Sequence, residues 1–118
     1  PNLPAISMDF ERLTQVFLNL FINAIQAMGQ GGKLIVDAAI QNSRITVTVS
    51  DTGQGMASDV LKSIFTPYYT TKPAGTGLGL AIVLKILEEH DCEIKVNSVP
   101  GQGTTFTLLF PKTTAVQG

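Results

Sequence analysis

The sequence predicts an α+β fold of the two-layer sandwich kind, with helices packed on one face of a sheet. Two long runs carry apolar residues at helical spacing, and four shorter runs alternate apolar with polar residues. The alternating runs come in two pairs, each joined across a turn signal. The order is helix, two strands, short helix, loop, helix, two strands, with no internal repeat and no low-complexity stretch.

Asp9 is placed to cap a helix that runs to about Met28, where Gly29-Gln30-Gly31-Gly32 stops it. Leu13, Val16, Phe17, Leu20, Phe21, Ala24 and Met28 share one broad face of that helix, which must be mostly buried. Lys33 to Gln41 alternates Leu34, Val36, Ala38 and Ile40 against more polar positions, and Arg44 to Ser50 does the same with Ile45, Val47 and Val49. Asn42-Ser43 between them reads as a hairpin turn. A short helix is expected around Ser58 to Ile64, followed by an irregular loop from Thr66 to Gly77, a length that is usually functional or mobile. The second long helix spans about Leu78 to His90. Strands over Glu93 to Asn97 and Thr104 to Phe110 close the chain around the turn Pro100-Gly101-Gln102-Gly103. One covered and one wetter sheet face is the resulting pattern.

At 118 residues the chain is one domain, expected over 1–118, and long enough to bury a sizeable core. With 44% hydrophobic and 14% charged residues it has a globular composition. The net charge is −1 and the basic residues are scattered, so the stripe that a nucleic-acid binder needs is missing. Cys92 and His90, each the only residue of its type, provide neither a disulfide nor a structural zinc site and read as structural. A reducing, cytoplasmic setting is expected, with no direct membrane insertion and a monomeric isolated domain. The abrupt start at Pro1 and the polar tail after Lys112 look like a piece cut from a longer protein.

Several stretches carry candidate chemistry. Gly75-Thr76-Gly77-Leu78-Gly79-Leu80 opens into the second long helix, whose first N–H groups and dipole favour an anion. Glycines before a helix are also ordinary turn punctuation. Asn19 and Asn23, one turn apart, can offer two amide oxygens to a cation such as magnesium, or hydrogen-bond within the core. Asp51-Thr52-Gly53-Gln54-Gly55 follows a strand, so its carboxylate can accept from an exocyclic amine while the glycines admit a flat base; it also fits a capped turn. Asp-Thr-Gly also occurs in aspartic proteases, but two long helices contradict their nearly all-β fold. Gly32-Lys33 falls short of a Walker A loop, with Ala27 and Leu34 at positions that need Gly and Ser or Thr. A Rossmann fingerprint fails as well.

The ordered set of Asn19-Leu20-Phe21-Ile22-Asn23-Ala24, Asp51-Thr52-Gly53-Gln54-Gly55, Phe65-Thr66-Pro67-Tyr68 and Gly75-Thr76-Gly77-Leu78-Gly79-Leu80 resembles the N, G1, F and G2 boxes of sensor histidine kinases. Gly101-Gln102-Gly103-Thr104-Thr105-Phe106 resembles their last glycine motif, so the likeness covers nearly the whole chain. It implies the Bergerat ATP-binding fold of the GHKL superfamily, with a mixed sheet of about five strands and three helices on one face. It further implies that Asp51 meets the adenine amine, Asn23 holds Mg²⁺, Asn19 lies near the phosphates, and Gly75, Gly77 and Gly79 let backbone amides reach the triphosphate. A lid over Thr66 to Pro73 would place Lys72 above the phosphates, making Asn19, Asn23 and Lys72 the catalytic set. Gly53, Gly55, Met56, Phe65, Tyr68, Thr71, Thr76, Leu78, Leu80 and Thr104 complete the implied ATP-binding set, although Phe65 and Tyr68 could instead anchor the loop on the core.

The short lid is most similar to the nitrogen-regulation type of kinase. Gyrase-like and chaperone ATPases of the superfamily carry a glutamate base where this chain has Asn19, which favours a kinase that passes the γ-phosphoryl to an external acceptor. The resemblance implies a histidine-bearing dimerisation domain of the same parent and a downstream response regulator as partners. Asp91-Cys92 stands where such kinases commonly have two glycines, which puts that turn's geometry in question. An anti-sigma-factor type serine kinase of the same superfamily and a non-catalytic nucleotide-binding module are the alternatives.

Overall fold

The computed structural model describes residues 9–66 and 79–111. Its elements are α1 (Phe10–Met28), β1 (Leu34–Gln41), β2 (Arg44–Asp51), α2 (Ser58–Leu61), α3 (Gly79–Glu89), β3 (Glu93–Val99) and β4 (Gly103–Leu109). The Asp9 carboxylate accepts from the Glu11 and Arg12 N–H groups at 2.9 and 3.3 Å, satisfying two donors that the first turn leaves over. Asn42 and Ser43 both take positive φ, 51° and 66°, as a type I′ turn requires, and this fixes the β1–β2 register. No helix among the described residues is long and apolar enough to cross a membrane.

The sheet order is β1-β2-β4-β3, and every pairing is antiparallel. A mixed sheet of about five strands was the expectation; the described residues form four, with no parallel pair. The reason lies in the connections, since β1–β2 and β3–β4 are hairpins and β4 enters between β2 and β3. The expected short helix to Ile64 is regular only to Leu61.

Val16, Leu20 and Ala24 of α1 and Val83, Ile86 and Leu87 of α3 are buried with Ile45, Val49, Phe106, Leu108 and Phe110. The two helices therefore share one layer over β2 and β4. β1 lies beyond it as an exposed edge, with Ile35 and Val36 about half exposed at 51% and 49%. Its alternation matches that of β2, but α1 does not reach far enough to cover it.

α3 ends in a Schellman motif. Cys92 N–H donates to the Leu87 carbonyl at 2.8 Å and Asp91 N–H to the Glu88 carbonyl at 3.2 Å, with Asp91 left-handed at φ 59°. The geometry is the one a glycine would adopt, held here by an aspartate at some conformational strain. His90 Nδ1 lies 2.8 Å from the Ile86 carbonyl, which it can serve as donor. Asp91→Gly should therefore raise stability by about 0.5–1 kcal/mol, the left-handed penalty less the added freedom of the unfolded chain. A urea midpoint that rises at constant slope is the check.

Burial pushes the Cys92 thiol up to about 11, with the Asp91 charge adding to it and Arg44 opposing. The thiol stays protonated in the fold where the unfolded chain begins to lose its proton, so the associated stability is present below pH 9.0 and drains away towards pH 11. Stability should fall more steeply across that window in the wild type than in Cys92→Ala, as measured by denaturant unfolding at stepped pH.

Candidate functional site

On the helix-facing side, three adjacent strands line up residue by residue. Val47, Leu108 and Ile94 form one apolar row and Val49, Phe106 and Val96 the next. The following row in the same phase is Asp51, Thr104 and Ser98. The apolar layer thus stops at three polar side chains, of which Asp51 and Thr104 are buried at 7% and 5% exposure. A buried carboxylate at the end of a core is expensive unless it is hydrogen-bonded. Asp51 Oδ1 accepts from the Gly53 N–H at 2.8 Å, the one hydrogen bond to this carboxylate among the described residues. Among the described residues nothing donates to its second oxygen.

The loop that follows is clamped on both sides. Thr52 exchanges bonds with Lys33, its N–H donating to the Lys33 carbonyl at 3.2 Å and its Oγ1 accepting the Lys33 N–H at 2.9 Å. Gln54 N–H donates to the Ala27 carbonyl near the end of α1 at 3.1 Å, and the Gln54 carbonyl accepts from Gly101 N–H at 2.7 Å. Met56 N–H donates to Ser98 Oγ at 2.7 Å. A Cβ on Gly55, at φ 70°, would overlap the Val99 carbonyl, and one on Gly103, at φ 123°, would overlap the Asp51 carbonyl. Gly53 packs tightly on α1 as well, since a Cβ there would stand 2.6 Å from the Ala27 oxygen.

Asn19 and Asn23 are half-buried on α1, one turn apart. Asn19 Nδ2 donates to the Gly79 carbonyl across a long 3.5 Å, linking α1 to the start of α3. Gly79 itself faces open space, with nothing within 4 Å of a Cβ built on it. Met56, Phe65 and Leu80 pack against the core cluster, which favours the anchoring role for Phe65. Tyr68, Thr71, Lys72, Gly75, Thr76, Gly77 and Leu78 lie outside the described residues.

The donor set has a definite chemical character. Amide oxygens are hard, neutral ligands, and no group of three or more His, Cys, Asp or Glu side chains that could hold a metal occurs among the described residues. That set suits a cation such as magnesium, which draws its other ligands from phosphate and water, and does not suit an all-protein cage. The carboxylate acceptor stands at the sheet end and the paired amides on α1. Ser98 is not among the residues the sequence singles out, whereas Gly103 stands in the last glycine motif. The signal for Ser98 was there, as the polar residue ending the inward series Ile94, Val96, Ser98.

Residues 8–114 match the family described as "Histidine kinase-, DNA gyrase B-, and HSP90-like ATPase". The sensor histidine kinase ZraS of Escherichia coli K12 is 53% identical over 110 residues, covering 93% of this chain and 24% of that protein. The chain therefore spans about a quarter of this relative's length. Among solved structures, the nucleotide-free catalytic domain of histidine kinase ThkA aligns with a TM-score of 0.80 at 36% identity, over 92% of this chain and 71% of that one. Full-length ShkA in complex with AMPPNP aligns with a TM-score of 0.84 at 34% identity, over 95% of this chain and 24% of that one.

The glycine geometry makes opposite predictions for two substitutions. Gly55→Ala should destabilise the fold by about 2–4 kcal/mol, combining left-handed strain with overlap on the hairpin. Gly79→Ala, facing open space, should stay within about 0.5 kcal/mol of wild type. Urea unfolding of both variants decides this.

Proposed function

Because this chain belongs to the family of histidine kinase-, DNA gyrase B- and HSP90-like ATPases and is a catalytic ATP-binding domain of the sensor histidine kinase kind, we propose that it binds Mg-ATP and passes the γ-phosphoryl group to a histidine on the dimerisation domain of its parent protein. The observation that carries this reading is the Asp51 carboxylate. It is buried, held through one oxygen by Gly53 N–H, and set at the root of a loop that the close packing of Gly53 on Ala27 and of Gly55 on Val99 holds in place.

In the proposed complex Asp51 accepts from the adenine amine, with Gly53, Gly55, Met56 and Thr104 shaping the surrounding floor. Asn23 supplies an amide oxygen to Mg²⁺, and Asn19, one turn earlier, lies beside the phosphates. When bound, Mg²⁺ neutralises charge on the triphosphate oxygens. N–H groups at the start of α3, Gly79 and Leu80 among them, meet the phosphate chain, and Gly75, Thr76, Gly77 and Leu78 continue that contact. Tyr68, Thr71 and Lys72 close over it. In the transfer the bond from the γ-phosphorus to the bridging oxygen breaks, a bond to an imidazole nitrogen forms, and ADP leaves. A response regulator that takes the phosphoryl group from that histidine completes the proposed sequence, in the cytoplasm.

Mixing this domain with the histidine-bearing domain of its parent and γ-labelled ATP should produce an acid-labile phosphoprotein. An acid-stable product would point instead to a serine kinase, and no label despite intact ATP binding would leave a non-catalytic module. Asn23→Ala should weaken ATP binding in the presence of Mg²⁺ by roughly tenfold or more, the range seen when a group near a metal is removed. Isothermal titration with and without the metal reads that loss, and unchanged binding would remove Asn23 from the site.

A further inference from the structure

We propose that Ser98 is a positioning residue for nucleobase selection, acting by setting the proton direction of the Thr104 hydroxyl. The inference rests on the reading above, that an adenine nucleotide lies against Asp51. Ser98 Oγ has three hydrogen-bond partners: Met56 N–H at 2.7 Å, the Gly103 carbonyl at 3.1 Å and Thr104 Oγ1 at 2.8 Å. A serine hydroxyl has one proton and two lone pairs. The Met56 amide can only donate and the Gly103 carbonyl can only accept, so one lone pair and the single proton are taken. The one arrangement that makes all three bonds has Ser98 accept from Thr104, with the Thr104 proton drawn towards β3.

That leaves Thr104 Oγ1 with lone pairs only for anything else it meets. Thr104 is the register partner of Asp51, with its side chain on the same face of the sheet. Two acceptors, a carboxylate and an oriented hydroxyl, therefore stand side by side at the end of the core. An exocyclic amine brings two N–H donors and suits such a pair, whereas a carbonyl at the same ring position faces acceptors alone. A site built to hydrogen-bond one group rejects an analogue that leaves its own groups unpaired. Ser98 thus favours an amino-purine over a keto-purine without touching either.

Equilibrium affinities of wild type, Ser98→Ala and Ser98→Thr for ATP and for inosine triphosphate, alongside the melting temperature without nucleotide, test this. Ser98→Ala frees the Thr104 hydroxyl to turn, so ATP affinity should fall roughly three- to tenfold, the worth of about one hydrogen bond. Inosine triphosphate affinity should hold or improve, narrowing the preference. Ser98→Thr keeps the hydroxyl and should keep the preference. Equal losses for both nucleotides would show a merely structural role and overturn the proposal, as would an unchanged preference in Ser98→Ala. If the wild type binds neither nucleotide, the ATP reading itself fails and this inference with it.

Discussion

The close seating of the β3–β4 hairpin on the loop after β2 is the constraint on which the rest of the site depends. Gly55 lies against the Val99 carbonyl and Gly103 against the Asp51 carbonyl, at distances that leave no room for a side chain. The Gly101 and Met56 N–H groups close hydrogen bonds across the same contact. A single hydrogen bond of this kind contributes on the order of 1 kcal/mol net. An overlapping Cβ instead moves the backbone itself and breaks several of these bonds together, so the glycines outweigh any one polar partner. Asp51 sits at the root of this loop, and its position is inherited from the backbone packing.

The helices meet this floor at one end of the core. Val16 and Leu20 of α1 and Val83 and Leu87 of α3 are fully buried over the apolar rows of β2 and β4, which fixes how far the two helices stand apart. The Gln54 to Ala27 bond fastens the loop to the end of α1, and the Asn19 to Gly79 contact joins α1 to the first residue of α3. The carboxylate, the paired asparagines and the α3 start are therefore parts of one packed unit. On the proposed reading, such a unit would hold a ligand's base and its phosphates in one geometry, which is what transfer by positioning requires.

Much of this was legible in the sequence because it rests on local chemistry. The Asp9 cap, the Asn42-Ser43 turn and the period of each strand follow from residue type and spacing alone. Legibility stopped where neighbours decide the outcome. Leu34, Val36 and Ile40 alternate as cleanly as Ile45, Val47 and Val49, yet β1 is exposed because it lies at the sheet edge beyond α1. Alternation reports which residues share a face and carries no information about what covers that face. Ser98 is the converse case. Its place beside Thr104 depends on the register of β3 on β4, and its link to Met56 spans 42 residues, so only the folded chain brings the two together.

On the proposed reading, Asn19 shapes the chemistry in a different way from the other site residues. An amide does not take up a proton at neutral pH, so it cannot serve as the general base that a glutamate provides in gyrase-like ATPases. Its NH₂ group is turned to the Gly79 carbonyl, which leaves the amide oxygen as the atom available to the site. On the proposed reading, water near the γ-phosphate is not activated, and the phosphoryl group survives until a better nucleophile is presented. Catalysis then depends on how accurately an external imidazole is brought in line with the leaving oxygen, because little covalent work remains for the protein. A domain of this kind gains more from a rigid floor than from a reactive side chain, and the glycine contacts beneath Asp51 supply that rigidity.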